Sequence, residues 1–206
     1  MKIHIHTPFQ AMVFCIIIAS ALSACIASQS MMAAMNGHFY KYEFAIREHT
    51  TRKPTAAYAD KIFTVNFIPQ YIDVHYQISN NSPAPIRIIW DKAYIVIHSD
   101  SSKIAFVPFT AFATPPSEIA ARQSIEGNIA PADYIKNIDG KWTATEIYPG
   151  SDQDNSEQTD WIMGLLGVNI FKLYLPVESN GQIQIYPFTF YPIEIERSAV
   201  SQVPKQ

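Results

Sequence analysis

The side chains of this 206-residue chain whose types suit chemistry are His38, His49, His75 and His98, the acidic run 151–160, and the carboxylates Asp91, Asp133 and Glu146. Imidazoles ligate transition metals, and alternating carboxylates suit a hard cation such as calcium, for which Asp152, Asp154 and Glu157 supply the oxygen donors. That run lacks the glycine and the terminal Glu spacing of an EF-hand loop, so no metal is expected and these three residues stand as weak candidates. A strand histidine is ordinarily solvated or satisfied by hydrogen bonds within the fold. Asp91, Asp133 and Glu146 would hydrolyse a glycosidic bond only if two of them faced one cleft. There is no G-x-S-x-G, H-E-x-x-H, phosphate-binding glycine loop or C-x-x-C pattern, and the seven glycines are scattered. No catalytic residue and no cofactor are assigned on that basis.

The elements that must hold these residues are read from hydrophobic periodicity, which from His38 onward is period two. Tyr40, Tyr42, Phe44 and Ile46 share one parity, as do Phe63, Val65 and Phe67, and then Ile72, Val74, Tyr76 and Ile78. Each set predicts a strand with one buried face. Residues 86–98 carry apolar side chains on both parities and predict a strand that is central or bent. In the last third, 168–177 and 183–195 predict two strands joined by Glu178-Ser179-Asn180-Gly181, a hairpin turn. The apolar parity there switches at Pro187 and again at Pro192, which predicts β-bulges or bends on an edge strand, because proline cannot donate to a ladder. Helix is minor: 115–122 has room for two turns, and Asp160 is placed to cap a short turn over 161–167. Trp161, Ile162, Leu165 and Leu166 in that turn are apolar next to an acidic loop. They either plug the open end of the β-domain or touch a membrane or partner.

Such an element list predicts an all-β fold, an antiparallel β-sandwich of about seven to nine strands with one or two short helical turns. The stretch from Tyr76 through Asn80-Asn81-Ser82-Pro83-Ala84-Pro85 to Trp90 resembles the strand–turn–strand of immunoglobulin-like domains found in uncharacterised bacterial lipoproteins. That resemblance implies an immunoglobulin-like sandwich over 37–198, with 199–206 as a flexible tail; it implies no activity.

The start of the chain carries a different signal. Lys2 and the amino terminus precede an apolar, uncharged run over 11–24, the layout of a secretory signal. As a helix those 14 residues would cover about 21 Å of a hydrocarbon core about 30 Å thick, which favours cleavage over spanning. At Leu22-Ser23-Ala24-Cys25 the run resembles the lipobox of bacterial lipoproteins. The resemblance implies removal of 1–24 as signal peptide, lipid on Cys25, and 25–36 as a lipidated tether with Met31, Met32 and Met35 along it. Cys15 would leave with the peptide, so no disulfide is expected. Loss of Lys2 takes the formal charge from −3 to −4, which offers no general attraction for nucleic acid. By the same resemblance Ile26, where Asp would favour inner-membrane retention, favours the outer membrane facing the periplasm in a Gram-negative cell.

The function expected from these residues is a lipid-anchored, non-enzymatic binding or assembly module of the bacterial envelope. Its partners are the membrane, through the lipid on Cys25, and an envelope protein. The second reading is an envelope carbohydrate-binding protein or hydrolase using Asp91, Asp133 or Glu146.

Overall fold

The computed structural model describes residues 37–107, 115–152 and 155–199. The signal and tether segments, Cys15, Cys25, Asp154 and the tail beyond Ala199 lie outside the described residues.

The chain is mostly antiparallel β. Strands β1 (His38–Ile46), β2 (Ala57–Ala59), β3 (Phe63–Pro69), β4 (Val74–Asn80), β5 (Ile86–Ile88), β6 (Tyr94–Ile97), β7 (Asp100–Val107), β8 (Glu118–Ile119) and β9 (Ser124–Pro131) lead to a hairpin, β10 (Ile135–Ile138) with β11 (Lys141–Ala144). Among the described residues one α-helix, α1 (Ser156–Met163), precedes the long strands β12 (Phe171–Ser179) and β13 (Gln182–Ala199). The main sheet runs β1-β13-β12-β6-β7-β9-β4-β3-β2, with β5 on β12 and β8 on β5. It bends at β7, where Asp100–Lys103 pair with β6 while Ile104–Val107 pair with β9. Residues 55 and 56 then bring the far edges together: Ile46 of β1 donates its amide to the Thr55 carbonyl at 3.0 Å, and Phe67 of β3 donates to the Ala56 carbonyl at 2.8 Å. The sheet is thereby nearly closed into a barrel.

Period-two patterning places the core between the facing walls. Phe67 meets Phe188 in a tilted pair and Phe190 edge-on, with centroids 5.0 and 5.2 Å apart, and Phe63 meets Tyr186 edge-on at 4.8 Å, a geometry that aromatic quadrupoles favour. Gly127 on β9 leaves room for the ring of its cross-strand partner Tyr76 on β4, since a Cβ there would lie 2.8 Å from the Tyr76 hydroxyl.

The structure corrects several of the predicted elements. Thirteen strands appear among the described residues instead of seven to nine. The run 86–98 is two short strands, β5 and β6, broken by a 3-10 turn at Trp90–Lys92, and both pair with β12. Residues 115–122 are not helical. Ile119 pairs with Ile86 in β8 and is buried, so strand pairing overrides the Pro-Pro helix-start signal, and Arg122 turns with φ 64°. Helix α1 begins before Asp160. Asn155 is its cap, with the side-chain oxygen accepting from the Glu157 and Gln158 amides.

In β13 the parity switch at Pro187 is not a bulge. Tyr186, Phe188 and Phe190 form one continuous buried face, and Ile183 and Ile185 lie on the other, 50% and 56% exposed. Pro187 sits where β13 pairs with no strand on its β1 side among the described residues, since β1 reaches only Phe190. A missing N–H costs nothing on such a one-sided stretch. Pro192 does mark a bulge: Glu43 faces Glu194 while Phe44 faces Pro192, leaving Ile193 unmatched. The predicted hairpin between β12 and β13 forms, with Asn180 and Gly181 at φ 51° and 73°, the left-handed pair of a type I′ turn.

Candidate functional site

The acidic run folds into a structural clamp. Asp152 is fully buried in its side chain, and its amide donates to the His38 carbonyl at 3.0 Å, so residues 150–152 run beside the outer edge of β1. One carboxylate oxygen accepts from the Thr159 hydroxyl at 2.7 Å and from the Tyr40 hydroxyl. The other accepts from the His38 amide at 3.1 Å. The His38 ring nitrogen Nδ1 lies 3.2 Å from that oxygen and 2.9 Å from an Arg197 guanidinium nitrogen. Oxygens so occupied serve the fold, because a buried carboxylate is tolerated only when its lone pairs are satisfied. Of the other cation candidates, Glu157 is exposed in the first turn of α1, where its charge favours the helix N-terminus. Asp154 lies outside the described residues.

The tyrosines beside this clamp act as rivets. The Tyr71 hydroxyl donates to the Tyr40 carbonyl at 2.6 Å, Tyr42 to Pro149 at 2.7 Å, and Tyr148 to Pro69 at 3.0 Å. Burial pushes the phenols of Tyr42, Tyr71 and Tyr148 above their ordinary range, with the neighbouring Glu146 adding to the rise. They are therefore protonated donors at physiological pH and poor general bases. Glu146 itself accepts from the Gly150 amide at 3.1 Å. Asp91 and Asp133 are exposed on separate 3-10 turns, Trp90–Lys92 and Ala132–Tyr134.

The remaining histidines are also placed locally. His49 Nδ1 lies 3.0 Å from the Thr51 carbonyl, and His98 sits in the tight β6–β7 turn with φ 56°. His75 Nδ1 lies 2.9 Å from Asn128 Oδ1, and Asn128 in turn donates to the buried Asp73 at 3.0 Å. Desolvation raises the Asp73 carboxyl above its usual range, opposed by the Asn128 hydrogen bond and the His75 charge. A carboxyl whose folded pKa is raised stabilises the fold below its unfolded pKa, and this contribution is lost as pH rises through the folded pKa. Asp73→Asn is therefore expected to gain in thermal midpoint relative to the wild type as pH rises from 4 to 7. A midpoint difference that stays flat or falls over that range, in paired thermal melts, would contradict this.

Two exposed apolar surfaces stand out. In α1, Ile162 is fully buried against Tyr40 and Ile195, and Leu165 packs beside them. The helix thus plugs one end of the β-domain with half of the predicted apolar set. Trp161 and Leu166 remain 57% and 55% exposed, joined by Met163 and Val168. Met163 lies within the predicted 161–167 turn but not among the four contact candidates, and Val168 was missed. For Met163 the signal was the helical phase: with Thr159 and Ile162 inward at i and i+3, Trp161 and Met163 fall on the two flanks of that stripe and Glu157 and Asp160 face out, whereas Val168 lies beyond the helix. Arg47 borders this surface, donating to the Gly167 carbonyl at 2.7 Å and stacking 3.7 Å over the Tyr191 ring. The second surface is the exposed Ile183 and Ile185 near the β12–β13 turn. A cavity of about 250 Å³ also lies in the β1–β3 seam, lined by Tyr42, Phe44, Ala56, Phe67 and Ile68 among others.

Tyr94 and Tyr174 stack on each other at 4.5 Å and 12°, so each covers one face of the other, and Trp90 is buried.

What this geometry defines is an antiparallel β-domain with a helical plug, whose described polar clusters hold the fold together. Comparison with protein-family models, with curated proteins and with solved structures returned no match to this chain.

Proposed function

We propose that this chain is a lipid-anchored envelope protein whose β-domain is a non-enzymatic binding module. In this reading Cys25 carries the lipid, the domain is an immunoglobulin-like sandwich, and a protein partner engages the turn end of β13. The anchor is supported by the charge, apolar run and small residues that lead to Cys25. What supports the sandwich is that opposite walls of the sheet pack face to face through Phe63, Phe67, Tyr186 and Phe188.

The observation that carries the binding reading is the exposure of Ile183 and Ile185 on a stretch of β13 that pairs with no strand on its β1 side among the described residues. An unpaired edge with apolar side chains is what β-strand addition uses: main-chain hydrogen bonds provide affinity and alternate side chains provide specificity. Ile185 faces Pro176 across the β12–β13 ladder, and Ile183 faces Glu178, whose carboxylate is paired with Arg87. A partner thus meets an apolar strip with a fixed ion pair at its end.

A photo-crosslinking residue at Ile185 in cells is expected to give one discrete protein adduct that Ile183→Glu abolishes. No adduct, or adducts unchanged by Ile183→Glu, would reject binding at this edge.

A further inference from the structure

We propose that the seam between β1 and β3 is a binding site for one short extended peptide segment of another protein, a basic residue flanked by apolar ones, which pairs with Tyr42 and Phe44 and completes the barrel. The site is separate from the β13 edge and does not depend on the lipid anchor.

The first observation is the main-chain inventory of β1. Its even-numbered residues present their amides and carbonyls to the side away from β13, as their partners at both ends show. At one end the Tyr40 amide donates to the Gly150 carbonyl at 3.0 Å, and the Tyr40 carbonyl accepts from the Tyr71 hydroxyl. At the other the Ile46 amide donates to the Thr55 carbonyl at 3.0 Å, and the Ile46 carbonyl accepts from the His49 amide. Tyr42 and Phe44 lie between them on the same parity, and their amides and carbonyls have no partner on that side among the described residues. Across the seam the Phe67 carbonyl is open in the same sense, whereas Pro69 has no N–H and its carbonyl accepts from the Tyr148 hydroxyl. Phe44 is buried, where an unpaired amide is costly.

The second observation is width. A single stretch of chain stands between β1 and β3 at each end of this gap. Residues 55 and 56 bond Ile46 on one side and Phe67 on the other. At the opposite end Gly150 accepts from Tyr40 while Tyr148 reaches Pro69. One interposed chain holds two strands about 10 Å apart, twice the spacing of paired strands. The cavity of about 250 Å³ lies on that line, lined by Tyr42, Phe44, Ala56 and Phe67 among others. An extended segment of about three residues spans the open stretch from Tyr42 to Phe44, so main-chain pairing provides the affinity, as in strand addition.

Side chains around the gap define the occupant. Residues of the segment opposite Tyr42 and Phe44 point inward with them, toward Phe67 and Ala56, and are apolar. The residue opposite Glu43 points outward, where the rim carries Glu43 on β1 and the exposed Ile68 on β3. Glu43 also faces Glu194 across the β1–β13 ladder, a like-charge pair, while the neighbouring Lys41 and Glu196 offset each other. A Lys or Arg fits this place because its aliphatic stem covers Ile68 and its charged head reaches Glu43 beside Glu194. An acidic segment meets repulsion there.

The test uses the isotope-labelled full chain in detergent micelles and a capped pentapeptide of sequence threonine–isoleucine–lysine–valine–threonine. Amide exchange at Tyr42 and Phe44, followed by NMR, is expected to be fast without peptide and about tenfold slower with it. Glutamate in place of the peptide's lysine is expected to weaken binding about threefold, and Glu43→Lys in the protein to reverse that preference. Amides of Tyr42 and Phe44 that are already protected without peptide overturn the proposal, because the chain then covers its own seam. So does unchanged exchange at millimolar peptide, or equal affinity for the two peptides. Slowing at Ile183 and Ile185 with none at Tyr42 and Phe44 would place the peptide on the β13 edge, overturning the seam and leaving that edge standing.

Discussion

Asp152→Ala is expected to lower folding stability by about 3–5 kcal/mol, because it strands several buried donors at once. Tyr40 is fully buried and Thr159 nearly so, and both hydroxyls lose the same acceptor, together with the His38 amide. For a domain of this size, even the lower figure is a fall of roughly 6–12 °C in thermal midpoint. Asp152→Asn keeps one acceptor oxygen, and the two hydroxyls can turn to accept from its amide, so its loss is expected to be smaller, about 1–2 kcal/mol. The defect is local before it is global: amide exchange in α1 and the start of β1 is expected to accelerate in Asp152→Ala under conditions where β3 and β4 stay protected. A midpoint within about 1 °C of wild type would show that the carboxylate is not what holds α1 to β1.

Asn80→Asp is the second large effect. Asn80 is 2% exposed, and its amide nitrogen donates to the carbonyls of Ala84, Ile119 and Ala120 at 2.8, 2.9 and 3.2 Å, while its oxygen accepts from the Ser82 amide at 2.8 Å. This one side chain ties the end of β4, the Pro-rich turn and β8 into a single corner. A carboxylate in its place would point an oxygen at three carbonyl oxygens with no donor among them. The expected cost at pH 7 is about 3–5 kcal/mol, more than for Asn80→Ala, which leaves the carbonyls unpaired without adding a charge. The introduced carboxyl would have a folded pKa raised above its unfolded value, so part of the loss is recovered as pH falls through that folded pKa. Urea titrations at pH 7 and pH 4.5 on both variants check this. If Asn80→Asp proved no worse than Asn80→Ala at pH 7, the amide would not be donating as described.

Strands whose outer side chains are polar were legible from alternation alone. Phe63, Val65 and Phe67 are buried in β3, and Val74, Tyr76 and Ile78 in β4, as their parity required. The Asn180-Gly181 turn was legible because left-handed backbone has few residues that tolerate it. Reading failed in β13 for a physical reason: Ile183 and Ile185 are exposed, and an exposed isoleucine carries the same letter as a buried one. The surface that misled the phase is the one now proposed to bind.

Asp152 was illegible in a different way. Spacing within 151–160 resembles a cation loop, and nothing local shows that Tyr40, 112 positions earlier, donates into that carboxylate. The same holds for Asp73, which alternation places on the solvent face of β4 and Asn128 holds inside. Half of the apolar set around α1 was correctly ambiguous. Ile162 plugs the domain end and Trp161 does not, and only the helical phase set by the Asn155 cap decides which is which.

The anchored reading is tested most directly by the intact mass of the membrane-extracted protein, wild type beside Cys25→Ser. It predicts a mass equal to residues 25–206 plus acyl chains, replaced in Cys25→Ser by the uncleaved, unacylated chain. An unprocessed and unmodified wild-type mass would contradict it, and would leave the apolar run over 11–24 as a retained part of the protein.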